Sequence, residues 1–86
     1  MKDDTYCLTK LPVGKCARVK KLCITGGLRR RLQDIGLIEG TKIKCLFKNP
    51  SGSPIAFFIR GAVIALRKED TDRIILFENE GGILWG

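Results

Sequence analysis

Apolar and polar residues alternate over much of the chain, most clearly in KIKCLFK at 42–48. A period of two is typical of a strand with one buried face, because successive side chains point to opposite sides of a sheet. The residues predicted to face the core are Ile43, Cys45 and Phe47. The residues predicted to face outward are Lys42, Lys44, Leu46 and Lys48.

Four further segments predict strands, at 15–24, 54–60, 62–67 and 73–77. NPSGS at 49–53 predicts a hairpin loop, and Gly61 permits a tight reversal between two strands. The apolar run at 62–67 predicts a strand buried on both faces, and 68–72 predicts a polar turn or one helical turn. About five short strands and one short helix predict a mainly β fold, a small SH3-like barrel, since closing a sheet removes its exposed edges.

The one predicted helix follows Thr25, which is its expected N-cap. Three apolar side chains fall on one face of this helix at 100° per residue: Leu28, Leu32 and Ile35. Gly36 is expected to end the helix in the left-handed conformation, which glycine adopts readily.

GLIEGTK at 36–42 invites comparison with a phosphate-binding P-loop. The spacing is one residue short, the final hydroxyl residue is missing, and a P-loop follows a strand and opens a helix, whereas this order is reversed. We therefore interpret 36–42 as a structural corner. In this corner Leu37, and with it Ile38, turns into the core, and Gly40 enters the next strand.

Positive charge is concentrated in one part of the chain, whose formal net charge is +7. Residues 15–48 contain ten of the 16 Lys and Arg residues but only two of the nine acidic ones. A basic region of this kind suggests an acidic partner, which could be nucleic acid, an anionic membrane surface or an acidic protein. The charge alone does not choose among these three.

The residue types for metal and acid–base chemistry are scarce. The chain has no histidine, and its four cysteines, at 7, 16, 23 and 45, include no Cys-x-x-Cys pair. Structural zinc sites usually use such closely spaced pairs, and His-based catalytic triads need histidine. We expect reduced cysteines that pack as small apolar residues, no cofactor, no metal site and no catalytic site. The sequence therefore predicts a binding module and not an enzyme.

The sequence also predicts location and domain limits. The opening residues MKDDTYCLTK have no apolar segment, and no apolar run approaches the roughly 20 residues of a membrane helix. We expect a cytoplasmic protein without membrane insertion. The expected organisation is an N-terminal segment at 1–7, one domain at 8–78 and a flexible tail at 79–86.

Several segments resemble the ferrous iron transport protein A family, FeoA. These are LTKLPVGKCARV (8–19), GLRRRLQDIGLIEGTKI (27–43), KNPSGSPIAFFIRG (48–61) and AVIALRKEDTDRI (62–74). The most specific part is RLQDIGLIEGTKI, and the structural-motif residues in the matched segments are Leu32, Gly36, Leu37, Gly40 and Gly61. The resemblance implies an SH3-like barrel and a small cytoplasmic accessory of FeoB, the bacterial ferrous iron permease with a cytosolic GTP-binding domain.

On this basis we expect a monomer or weak homo-oligomer that is recruited to the inner face of the membrane by contact with FeoB. The residues predicted to steer or anchor that contact are Arg29, Arg30, Arg31, Lys42, Lys44, Leu46 and Phe58. Two alternatives stay open: a small barrel that binds nucleic acid, and a cysteine-based metal sensor. Nucleic acid is the less expected partner, because few aromatic side chains are predicted to be exposed for base stacking.

Overall fold

One antiparallel sheet forms most of the protein in the computed structural model, which describes residues 5–77, with Thr5 described by its backbone alone. Its strands are β1 (Thr5–Cys7), β2 (Cys16–Leu22), β3 (Lys42–Lys48), β4 (Ile55–Ile59), β5 (Ala62–Leu66) and β6 (Ile74–Phe77). The helices are α1 (Gly26–Asp34) and the single-turn α2 (Lys68–Thr71), and a 3-10 turn spans Leu8–Lys10. The predicted flexible tail at 79–86 lies outside the described residues.

The strands lie in the order β1-β6-β2-β3-β4-β5, and all neighbouring pairs are antiparallel. The prediction of a mainly β, SH3-like fold with one short helix is confirmed. Six strands lie within residues 5–77, one more than predicted. The addition is β1, which pairs with β6 and places Tyr6 opposite Leu76. With only three residues, β1 is too short to show an alternating pattern.

Strand β3 has the predicted bounds but contains an irregularity. Its pairing with β4 shifts between Cys45 and Phe47, so one extra residue is inserted at Leu46. A bulge of this kind reverses the alternation of side chains beyond it. Ile43 and Cys45 are buried as predicted, but Phe47 is 57% exposed, and its predicted position in the core is wrong.

Strand β5 has one half-buried face and one exposed face, so the prediction that both faces are buried is wrong. Its last residue, Leu66, is buried, whereas Val63 is 64% exposed and Ala65 is also exposed. The strand pairs only with β4 among the described strands, and within residues 5–77 no element packs over the outer side of Val63. Continuous apolar sequence here marks an exposed apolar surface, not a second buried face.

Helix α1 ends in a Schellman motif. The Gly36 N–H donates to the Gln33 carbonyl (2.9 Å), and the Leu37 N–H donates to the Leu32 carbonyl (2.9 Å). Gly36 adopts φ +95°, a conformation that costs a residue with a Cβ about 1–2 kcal/mol. At the other end Thr25 occupies the N-cap position, but its hydroxyl makes no capping hydrogen bond within the described part of the chain.

The core lies between the inner face of the sheet and α1. Its buried apolar residues are Leu8, Leu11, Ala17, Val19, Leu22, Ile24, Leu32, Leu37, Ile43, Cys45, Ile55, Phe57, Ile59, Leu66, Ile74 and Leu76. Ile38, expected to follow Leu37 into this core, is instead 51% exposed. Within residues 5–77, neither helix is long enough and apolar enough to cross a membrane.

Candidate partner-docking surface

One buried hydroxyl group, that of Thr41, holds the corner between α1 and β3. Thr41 Oγ1 donates to the Gly36 carbonyl (2.9 Å) and accepts from the Ile38 N–H (3.0 Å). Backbone hydrogen bonds then join the corner to β2: the Val19 N–H donates to the Thr41 carbonyl (2.9 Å), and the Gly40 N–H donates to the Val19 carbonyl (2.6 Å). The corner is thus a fixed part of the barrel, and it positions the side chains around it.

Arg60 lies across this corner, over the side-chain-free Gly36. A Cβ atom added at Gly36 would lie 2.7 Å from Arg60 Nε and closer still to Arg60 Cδ. Arg60 and Gly61 form the reversal between β4 and β5 with φ angles of +48° and +87°. Positive φ at both central residues is the requirement of a type I′ hairpin turn. The turn and the bare Gly36 together set where the Arg60 guanidinium lies.

An open groove of about 590 Å³ lies beside Arg60 on the outer face of β2, β3 and β4. Its cationic lining consists of Arg18, Lys42, Lys44 and Arg60, with Phe58 at one side. None of the described residues that line it is acidic. We call this site the basic groove. Its excess of positive charge favours an anionic partner and raises the rate of encounter at low salt.

The strand register explains why these cations converge. Arg18 on β2 lies opposite Lys42 on β3, and Lys44 lies opposite Phe58 on β4. The Arg18 guanidinium donates to the Gly40 carbonyl (2.9 Å), which ties this side chain to the corner. Outward-facing positions of three strands, one turn and the corner therefore form a single site.

An exposed apolar surface continues from the basic groove towards the hairpin loop at 49–53. We call it the apolar strip; it consists of the exposed Phe47, Phe58, Val63 and Ala65 and the half-buried Ala56. Phe58, which is 43% exposed, lies directly opposite Val63, and Ala56 lies opposite both Phe47 and Ala65. The bulge in β3 is what brings Phe47 onto this face. Exposed side chains in adjacent rows form one continuous patch, which is a common mark of an interaction surface.

The residues predicted to contact a partner fall into two separate groups. Lys42, Lys44 and Phe58 line the basic groove. Leu46, the inserted residue of the β3 bulge, is exposed and lies between Lys44 and Phe47 along the strand. The three arginines of α1 do not line this groove.

Each of these arginines has a different setting. Arg29 donates to the carbonyls of Leu22 (2.8 Å) and Ile24 (3.2 Å), which ties α1 to the end of β2. Arg30 is exposed, and Arg31 lines a smaller groove of about 250 Å³ between α1 and β5. The structural-motif residues named from the sequence are Leu32 and Leu37, which are buried, and Gly36, Gly40 and Gly61, which have positive φ angles.

Sequence reasoning did not select two of the four groove cations, Arg18 and Arg60. Arg18 had a usable signal, because it alternates with the apolar residues Ala17 and Val19 and so faces outward from β2. Arg60 had the same kind of signal, because it follows the buried Phe57 and Ile59 on the outward side of the predicted strand at 54–60, two residues after Phe58. Its place over Gly36, 24 residues earlier in the chain, is visible only in the folded structure.

The four cysteines are free thiols, and only Cys45 is buried. Burial raises the pKa of the Cys45 thiol, an effect that nearby Lys48 partly offsets. Cys16 lies at the edge of the basic groove. Within residues 5–77 no three His, Cys, Asp or Glu side chains are grouped so that they could hold a metal ion.

The architecture defines the chain as a small SH3-like barrel domain that carries a basic groove and an apolar strip on its outer face. Residues 6–76 match the family model of the FeoA domain. The chain therefore belongs to the FeoA family. No curated protein matches it.

Solved structures give the same assignment. Iron(II) transport protein A from Clostridium thermocellum is 33% identical, with a TM-score of 0.79 over 87% of this chain and 46% of that one. This chain thus spans less than half the length of the C. thermocellum chain. FeoA from Chlorobium tepidum is 31% identical, with a TM-score of 0.80 over 93% of this chain and 80% of that one.

A third structure supports the fold alone. FeoA of Stenotrophomonas maltophilia complexed with zinc, described as a prokaryotic SH3 domain protein, is 24% identical, with a TM-score of 0.71. The match covers 81% of this chain and 87% of that one.

Proposed function

We propose that this protein is a cytoplasmic accessory of bacterial ferrous iron uptake that binds the cytosolic part of the permease FeoB through the outer face of its sheet. Membership of the FeoA family ties the chain to ferrous iron transport in an accessory role. The observation that carries the proposal is the outer face itself, where the basic groove adjoins the apolar strip.

The composition of this face suits a reversible protein contact. Exposed charges around a contact mainly steer encounter and fix orientation, while apolar side chains near its centre supply most of the affinity. Lys44 and Phe58, directly opposite each other on neighbouring strands, place one residue of each kind side by side. The protein would act by contact and would neither handle iron directly nor catalyse a reaction. Recruitment to the inner face of the membrane follows from binding FeoB.

The test is binding of the full chain to the cytosolic portion of its cognate FeoB, measured at low and at physiological salt. We expect saturable binding that weakens as salt rises, since surface charges are screened over about 8 Å at 0.15 M. A nucleic acid of matched charge serves as the comparison. Binding to nucleic acid but not to FeoB would reject the proposal.

Charge-reversal variants locate the contact. Lys44→Glu should lower the affinity about tenfold, which corresponds to about 1.4 kcal/mol. Arg73→Glu makes the same change of charge at an exposed residue that lines neither groove, and should leave the affinity within about twofold. Arg30→Glu examines the arginines of α1. If Arg30→Glu weakens binding and Lys44→Glu does not, the contact lies on α1 and the outer face of the sheet is not the docking surface.

A further inference from the structure

We propose, building on the function proposed above, that the partner contributes an acidic segment with an aromatic or branched apolar residue close to its carboxylates. The carboxylates would lie over the basic groove, and the apolar side chain would lie on the apolar strip. This assigns a definite chemistry to the occupant of the outer face.

The outer face has one basic end and one apolar end. Along β3, the outward side chains run from Lys42 and Lys44 to Phe47 beyond the bulge. Along β4, which runs the opposite way, the same direction in space leads from Arg60 to Phe58. Two neighbouring rows therefore change from cationic to apolar in the same direction, and a ligand must change from acidic to apolar along its length to match both.

The spacing of the cations suits an extended segment. Alternate residues of a strand lie about 6.6 Å apart, so Lys42 and Lys44 present their side chains at that interval. Two carboxylates at positions i and i+2 of an extended peptide have the same interval. An apolar residue at i+4 would then extend beyond Lys44 to the Phe47 end of the strip. The match gives a pattern of acid, any residue, acid, any residue, apolar, with the chain direction left free.

An acidic protein segment complements both the basic groove and the whole apolar strip, whereas the other anionic partners do not. More aromatic side chains are exposed than the sequence predicted, and Phe47 and Phe58 in the strip could stack on bases. The phosphates of a nucleic acid would engage the groove, but Ala56, Val63 and Ala65 in the strip suit an apolar side chain and not a row of stacked bases. The headgroups of an anionic membrane lie in a plane, whereas the cations line a concave groove. A peptide can place carboxylates in the groove and bury an apolar side chain against the strip at the same time.

The proposal can be tested with a synthetic probe, the fluorescein-labelled peptide Phe-Ser-Glu-Ser-Glu-Ser-Phe flanked by Gly-Ser. It presents the pattern in both chain directions. Fluorescence anisotropy with the full chain at low salt should show saturable binding. Replacing both Glu by Lys, or both Phe by Ser, should weaken binding at least tenfold, because each change removes one of the two complementary features.

The protein variants identify the site of binding. Lys44→Glu and Phe58→Ser should each weaken binding of the probe at least fivefold, whereas Arg73→Glu should change it less than twofold. Thermal unfolding of each variant verifies that it is folded, as expected for substitutions at exposed positions. Equal binding of the Glu and Lys peptides, or unchanged binding by Lys44→Glu and Phe58→Ser, would overturn the proposal. The proposal would also be overturned if a single-stranded oligonucleotide or phosphatidylserine vesicles bound the wild type more tightly than the peptide does, and if Lys44→Glu and Phe58→Ser abolished that binding.

The two proposals fail in different ways. If FeoB binds the wild type and both variants equally, and the probe does not bind, the acidic-segment proposal is wrong while the permease contact stands. If the probe binds with the expected dependence on Lys44 and Phe58 but FeoB does not bind, the chemistry of the surface is supported and the permease contact is wrong.

Discussion

Replacing Gly36 by alanine separates the two roles that the structure gives to this residue, ending α1 and making room for Arg60. The substituted residue would have to adopt φ +95°, and its new Cβ would also overlap the Arg60 side chain. The backbone term costs about 1–2 kcal/mol, as for other non-glycine residues in the left-handed region. The overlap should cost little stability, because the atoms involved belong to a long, flexible side chain that can move away.

The predicted loss of stability is therefore about 1–2 kcal/mol, with displacement of Arg60 from the basic groove as the second effect. Gly52→Ala is a matched control, since Gly52 has φ +96° in the hairpin loop and a Cβ there would have nothing within 4 Å. Urea denaturation should give similar losses for both variants, seen as midpoint shifts of about 1–2 M for a slope near 1 kcal/mol/M. Only Gly36→Ala should weaken binding of the acidic, aromatic peptide, by about threefold.

A double-mutant cycle with Arg60→Ala tests whether Gly36→Ala affects binding through Arg60. If Gly36→Ala acts on binding by moving Arg60, it should have no further effect on binding once Arg60 is alanine, while its cost in stability should persist. A loss of stability above about 4 kcal/mol for Gly36→Ala alone would show that Arg60 cannot move aside. A threefold loss of binding that persists in the Arg60→Ala background would show that the corner acts on the groove by another route.

Three further predictions concern stability. Thr41→Val should cost about 1–2 kcal/mol in urea denaturation, since it removes the partner of two part-buried backbone groups, whereas Thr41→Ser should cost under about 1 kcal/mol. A hydrogen bond from Thr9 lowers the pKa of Asp72, and Lys68 contributes to the shift. Asp72 therefore adds stability above its unfolded pKa, and this stability is lost as the pH falls through its folded pKa. We expect Asp72→Asn to lose less stability between pH 5 and pH 2 than the wild type loses. Because the pKa of the Cys45 thiol is raised in the folded state, this thiol adds stability at pH values below its unfolded pKa. That stability is lost as the pH rises through the folded pKa. The decline in the free energy of unfolding above pH 9 should therefore be smaller in Cys45→Ala than in the wild type.

Each of these predictions has a clear contrary result. Equal stability of the valine and serine variants at position 41 would mean that the Thr41 hydroxyl does not hold the corner. Parallel stability curves for Asp72→Asn and the wild type on the acid side would remove the contribution assigned to the Thr9 hydrogen bond. For Cys45, iodoacetamide labelling gives an independent reading: rapid labelling of this thiol in the native protein would contradict its burial.

The sequence pattern was sufficient for most of the fold because a half-buried strand must alternate. It predicted β3 with the observed bounds and also indicated the neighbouring strands, whose inward residues are apolar. It failed at Phe47 and Val63 for a shared physical reason. Whether an apolar residue is buried depends on which layer covers it, and neither the bulge in β3 nor the uncovered outer side of β5 is visible in a local pattern.

The candidate site could be predicted only in part. Lys42, Lys44 and Phe58 were selected because outward positions of a strand follow directly from its alternation. The arginines of α1 were selected with them because charge counted along the sequence does not show which elements fold together. Arg60 was missed although it shares the outward side of the 54–60 strand with Phe58; only its place over Gly36, in a different element, could not be read from the pattern.

Docking through the basic groove is best examined by titrating the cytosolic portion of FeoB with the wild type, Lys44→Glu and Arg73→Glu at low and physiological salt. We expect saturable wild-type binding that weakens with salt, an approximately tenfold loss of affinity for Lys44→Glu and near-normal affinity for Arg73→Glu. Equal losses of affinity for both variants would show that net charge drives binding and that the basic groove is not the docking site.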